Sequence, residues 1–155
     1  MPVRLGMVGT FYPRVSYDGA QRWSEPPEVF IPMPTPGATI AVVDDDDAMR
    51  RSIQRVLKGH GYATEAFADA EAFLDSGIAT RINGVVLDIH LPGMSGLDLQ
   101  RRLRASGSTL PVIFITAYDE PATRADALAV GCVAYLTKPF DASDLADSLK
   151  RAVTA

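Results

Sequence analysis

Only one cysteine, Cys132, occurs in the 155 residues, so no internal disulfide can form and metal clusters built from paired cysteines are excluded. Near Val130 and Val133, its thiol is expected to be a small buried group rather than a reactive one. No apolar run is long enough to cross a bilayer, so no membrane contact is expected. Met1 to Val15 lacks a continuous apolar segment of signal-peptide length, because Tyr12, Pro13 and Arg14 interrupt it. The expected location is therefore the cytoplasm. Positive charge is not in excess either. The formal net charge is −4 and no basic patch stands out, so direct nucleic-acid binding by these residues is not expected. The balance of 47% hydrophobic and 22% charged residues is that of one globular domain with a single core.

Proline divides the chain in two. Seven of the eleven prolines lie before residue 38, and the stretch Glu25–Gly37 cannot be helical. Proline lacks the N–H and biases the residue before it towards extended geometry. Residues 1–37 are expected to be a leader, disordered or polyproline-like, and residues 38–155 a folded domain.

From Thr39 the pattern alternates strand with helix. Thr39–Val43 is a continuous apolar run, as in a strand buried on both faces. Met49, Ile53, Val56 and Leu57 follow at helical spacing and stop at Gly59 and Gly61. Tyr62–Phe67 is a weaker strand, and Asp69 caps a short helix carrying Ala72 and Phe73. Gly84–Leu87, Pro111–Ile115 and Val133–Leu136 are the third to fifth strands. Helices are expected over Leu97–Arg104, from Pro121 to just before Gly131, and from Asp141 onward with Leu145, Leu149, Ala152 and Val153 on one face. Five strands alternating with five helices predict an α/β fold, a doubly wound parallel sheet covered on both sides. In such sheets chemistry sits at the carboxyl ends of the strands.

Those ends carry reactive groups. The first strand runs into Asp44, Asp45, Asp46 and Asp47. Asp46 or Asp47 suits the helix N-terminus, whereas Asp44 and Asp45 abut the buried strand. The third strand ends in Asp88, the fourth in Thr116, and the fifth is followed by Lys138 and Pro139. Three carboxylates in one pocket repel unless a cation neutralises them, and hard oxygen ligands suit Mg²⁺. A lysine aimed at them balances charge and can later meet a phosphoryl oxygen.

Val43–Asp45 (VDD), Leu87–Gly96 (LDIHLPGMSG), Ile113–Ala117 (IFITA) and Tyr135–Phe140 (YLTKPF) resemble the signature segments of response-regulator receiver domains of two-component systems. The resemblance covers residues 39–153. Gly93–Gly96 is most similar to receivers of the FixJ/NarL type, which precede a helix-turn-helix output domain. The resemblance implies a flavodoxin/CheY-like sheet of order 2-1-3-4-5, a topology that the pattern alone does not supply. It implies that Asp88 accepts a phosphoryl group, and that Mg²⁺ is held by Asp44, Asp45, Asp88 and the backbone carbonyl of His90. Thr116 and Lys138 would contact the phosphoryl group, Thr116 and Tyr135 would form the switch, and the Lys138–Pro139 peptide would be cis. His90 and Tyr118 would flank the path of the hydrolytic water and tune dephosphorylation. The implied donor is a sensor histidine kinase or histidine phosphotransfer protein, and a homodimer through the fourth helix, fifth strand and fifth helix is a further expectation. Beyond accepting and slowly losing its phosphoryl group, such a domain is not an enzyme. Since Ala155 closely follows the fifth helix, either a single-domain regulator or a fragment of a longer protein is expected.

Three other readings compete. Metal-dependent phosphatases of the haloacid-dehalogenase type also use a strand-end Asp, but they place a second Asp where this chain has His90. A flavodoxin-like cofactor module would need a phosphate-binding loop where four acids stand. A degenerate receiver would serve only as a protein-interaction module, yet all five pocket residues are present.

Overall fold

The computed structural model describes residues 37–154. Apart from Gly37, the leader expected over residues 1–37 lies outside the described residues. The elements run β1 (Thr39–Val43), α1 (Asp47–Gly59), β2 (Ala63–Phe67), α2 (Ala70–Ser76), β3 (Gly84–Asp88), α3 (Gly96–Ala105), β4 (Val112–Thr116), α4 (Pro121–Val130), β5 (Ala134–Thr137) and α5 (Ala142–Thr154), with a short 3-10 turn at Ile78–Thr80. All strands are parallel, in the order β2-β1-β3-β4-β5.

The period of two along each central strand explains the continuous apolar runs. Ala41, Val43, Val85, Leu87, Val112 and Phe114 face one side, where they pack with Phe73 of α2, Leu99 and Leu103 of α3, and Ala127 of α4. Ile40, Val42, Val86, Ile113 and Ile115 face the other, against Ile53 and Leu57 of α1 and Leu145 and Leu149 of α5. Each large apolar side chain taken fully out of water contributes roughly 1.5–3 kcal/mol. These two layers therefore hold β1, β3 and β4 rigidly in the middle. The edge strand β2 alternates weakly because most of it is exposed, and β5 is half-buried.

Side chains set the helix starts. Asp46 accepts from the backbone N–H groups of Ala48 and Met49 and begins α1. Asp69 does the same for Ala72 at α2, and Ser95 for Asp98 at α3. Pro121 occupies the first turn of α4, where its missing N–H is not needed.

Two strands shift by one residue from the sequence reading. Pro111 contributes only its carbonyl, which accepts from Val85 N, so β4 begins at Val112 and extends to Thr116. Val133 N bonds to Val112 O ahead of the ladder, so β5 runs Ala134–Thr137. The strand order reverses between β1 and β3. The crevice outside their carboxyl ends is the ligand position of such sheets.

Candidate functional site

Asp44 follows β1 and is fully buried, Asp88 is the last residue of β3 and nearly so, and Asp45 is exposed beside them. One carboxylate oxygen from each lies within 4.8 Å of the others. From the end of β5, Lys138 Nζ donates to Asp44 Oδ2 at 2.9 Å and to Asp88 Oδ2 at 3.2 Å. Lys138 is brought there by its own backbone N–H, which bonds to Thr116 O at 2.7 Å, and its peptide to Pro139 is cis. Local bonds orient the acids. Asp44 Oδ1 accepts from Asp46 N at 2.8 Å, and Asp88 Oδ1 accepts from His90 N at 3.1 Å.

Burial pushes the Asp88 carboxyl above its ordinary value, and the Asp44 charge adds to this, against the opposing pull of Lys138 and the His90 N–H. Burial alone would lower Lys138, but its hydrogen bond to Asp44 and the charges of Asp88 and Asp44 outweigh that and raise it. Lys138 is therefore an ammonium at any physiological pH. One ammonium against three carboxylates leaves an anionic, all-oxygen donor set. Asp44, Asp45 and Asp88 could together hold a hard divalent cation such as Mg²⁺.

Around this cluster lie the remaining residues singled out from the sequence. Thr116 is buried at the end of β4, with its hydroxyl engaged by its own loop: it accepts from Tyr118 N and donates to Tyr118 O, both at 3.0 Å. Tyr118 is 63% exposed, yet its ring meets that of His90 edge to face, with centroids 5.3 Å apart. Tyr135 lies in β5 with its ring half-buried. The fold thus gathers Asp44, Asp45, Asp88 and Lys138 into direct contact. Thr116 and Tyr118 form a second group held by their own backbone, which touches the first through His90.

Three polar anchors were not singled out from the sequence. Arg50 Nη1 donates to Asp44 O at 2.7 Å while its Nη2 pairs with Asp47, so it braces the loop of acids from α1. Its placement one helical turn after Asp46 and Asp47 was the available signal. Glu71 of α2 accepts from Met94 N at 2.7 Å and pins the loop after β3. Arg124 of α4 grips Asp119 and covers Tyr135. Glu71 reaches a loop 23 residues further on, where no local pattern could show it, whereas Arg124 pairs with an acid only five residues before it.

This fold, with acids and a lysine converging at its switch point, defines a class. Residues 40–150 match the family described as response regulator receiver domain, and the chain belongs to that family. Among curated proteins it is 41% identical over 106 residues to the response regulator MprA of Mycolicibacterium vanbaalenii, covering 68% of this chain and 46% of that one. It is 34% identical over 114 residues to the transcriptional regulatory protein FixJ of Bradyrhizobium diazoefficiens, covering 74% and 56%. The chain thus spans about half the length of these relatives. The solved structure of the response regulator StyR superposes with a TM-score of 0.71 at 33% identity, covering 76% of this chain and 60% of that one. The BeF3-activated receiver domain of DrrB gives 0.70 at 29% identity, covering 77% and 99%. The expectation of no nucleic-acid contact gains no support here, since FixJ is named a transcriptional regulatory protein. Among the described residues no helix is long and apolar enough to cross a membrane.

Proposed function

We propose that this chain is the phosphoacceptor switch of a two-component phosphorelay, taking a phosphoryl group onto Asp88 from the phosphohistidine of a sensor histidine kinase or a histidine phosphotransfer protein. The observation that carries this reading is the convergence of Asp44, Asp45 and Asp88 within 4.8 Å, with Lys138 bonded to two of them.

A carboxylate oxygen of Asp88 attacks phosphorus, the bond from phosphorus to the donor's imidazole nitrogen breaks, and an acyl phosphate forms on Asp88. The leaving imidazole takes a proton from water. Lys138, already bonded to Asp88, stays protonated and follows the charge onto the phosphoryl oxygens. Asp44, Asp45, Asp88 and the backbone carbonyl of His90 would hold Mg²⁺, which when bound neutralises oxygens of the transferring group. Thr116 leaves its loop to meet the phosphoryl group, and Tyr135 turns into the space it vacates. The outcome is a population shift between two states of one fold. The face formed by α4, β5 and α5 changes with it and is where a second copy would dock. The location proposed is the cytoplasm.

Acetyl phosphate with Mg²⁺ should add a single phosphoryl group by intact mass, and Asp88→Asn should abolish the addition. Undiminished labelling of Asp88→Asn would overturn the assignment.

A further inference from the structure

Thr116 bonds to Tyr118, the residue next to Asp119, and Asp119, Arg124 and Tyr135 continue that run from the loop after β4 through α4 to β5. With its hydroxyl bonded to both the N–H and the carbonyl of Tyr118, Thr116 is not free to meet an oxygen arriving on Asp88. To donate to that oxygen the hydroxyl must give up its bond to Tyr118 O, and the loop at 117–120 that holds it must adjust. One residue further along that loop, Asp119 accepts a two-pronged pair from Arg124, Nε to Oδ1 at 3.1 Å and Nη2 to Oδ2 at 3.0 Å. The same guanidinium lies 4.8 Å above the ring centroid of Tyr135. Beneath it the Tyr135 hydroxyl is buried on the side of Asp119, the acid that Arg124 grips. Arg124 is thus bound at once to the loop that holds Thr116 and to the aromatic of β5.

We propose that Asp119, Arg124 and Tyr135 form an autoinhibitory latch: in the unphosphorylated protein Arg124 ties the Thr116 loop to α4 and covers Tyr135, and occupation of Asp88 opens it. This rests on the phosphoacceptor reading and adds a control to the same site. The planar guanidinium is suited to the task because it forks onto a carboxylate and stacks on a ring at once, which a lysine cannot copy. The latch is also weak enough to open. The side chains of Arg124 and Asp119 are 50% and 39% exposed, and exposed ion pairs and cation–π contacts are each modest.

A ligand that needs the open state binds the free protein with an affinity reduced by the fraction that is open. Cutting the latch should therefore tighten binding of a phosphoryl mimic. The test is a beryllofluoride titration of the full chain at fixed Mg²⁺, followed by amide NMR. Arg124→Gln and Asp119→Asn should each tighten the apparent affinity about three- to five-fold, the scale of one exposed pair plus one cation–π contact. The double variant should bind no more tightly than either single one, because both cut the same connection. Arg124→Lys, which keeps the charge and loses the fork, should move the affinity in the same direction. Arg101→Gln, which cuts the comparably exposed Arg101–Asp98 pair of α3, should leave it unchanged. Singles that bind like wild type, a double variant tighter than both, or an Arg124→Lys that matches wild type would each overturn the latch while leaving the phosphoacceptor reading intact. A wild-type protein that fails to respond would remove both.

Discussion

His90 and Tyr118 each lie two positions past a strand-end group, Asp88 and Thr116, and their rings meet edge to face. Neither brings a carboxylate or amide that could orient a water for attack on phosphorus. Both bring bulk. We therefore expect the phosphorylated form to be long-lived, and Tyr118→Ala to shorten its lifetime by opening a path for water. Because Tyr118 is 63% exposed, its shielding is partial, and the acceleration should be about two- to five-fold, less than ~1 kcal/mol in the barrier. Decay of phospho-Asp88 after removal of the donor, at fixed Mg²⁺, measures this. An unchanged or longer lifetime would exclude the shielding role. At this scale the sequence was informative about which groups meet, because strand ends in a parallel sheet must converge. It was silent on how they bond. The two bonds of Lys138 follow from the order of the strands, whereas the engagement of Thr116 by its own loop depends on the turn at 117–120, for which no pattern speaks.

Among the elements, β1, β3 and β4 were the easiest to read, since burial on both faces leaves uninterrupted apolar runs. The edges β2 and β5 were harder, because half-exposed strands tolerate polar residues. The turn at Ile78–Thr80 was not anticipated, because three residues carry too little periodicity to announce a helix. One junction is fixed by sterics alone. Gly96 opens α3 and donates its N–H to Ile89 O at 2.9 Å, so close to β3 that a Cβ would run into the carbonyl oxygen of Asp88. The loop Ile89–Ser95 must fold back this tightly for Asp88 and His90 to keep their bond. Gly96→Ala should cost roughly 1–3 kcal/mol, the penalty of overpacking a buried junction. It should also impair phosphoryl acceptance, because the backbone of Asp88 has to shift. A melting midpoint equal to that of wild type would show that the junction has slack.

For the molecule as a whole, the acid cluster couples stability to pH and to divalent cations. Asp88 is held above the ordinary carboxyl value of 3.8 without metal, mainly by burial. A raised carboxyl means that the folded state binds the proton more tightly than the unfolded chain. From this group, stability therefore increases as pH falls through the folded value and is withheld above it. Mg²⁺ acts in the opposite sense, because it requires the ionised carboxylates and finds no preformed site in the unfolded chain. At ten times its dissociation constant it should stabilise the fold by about 1.4 kcal/mol, raising the melting midpoint by roughly 3–6 °C for a domain of this size. The two effects compete for the same oxygens, so the Mg²⁺-dependent rise should be full at neutral pH and fade as pH falls through the raised Asp88 value, before 3.8 is reached. Asp88→Asn should lose most of the rise at every pH. It should also flatten the metal-free pH dependence in that window, since the titrating group is gone. Paired thermal melts with and without Mg²⁺ across the acidic range provide the check. A rise that persists undiminished to pH 3.8 would mean that the cation is held elsewhere, and the three converging carboxylates would then have to be explained by Lys138 alone.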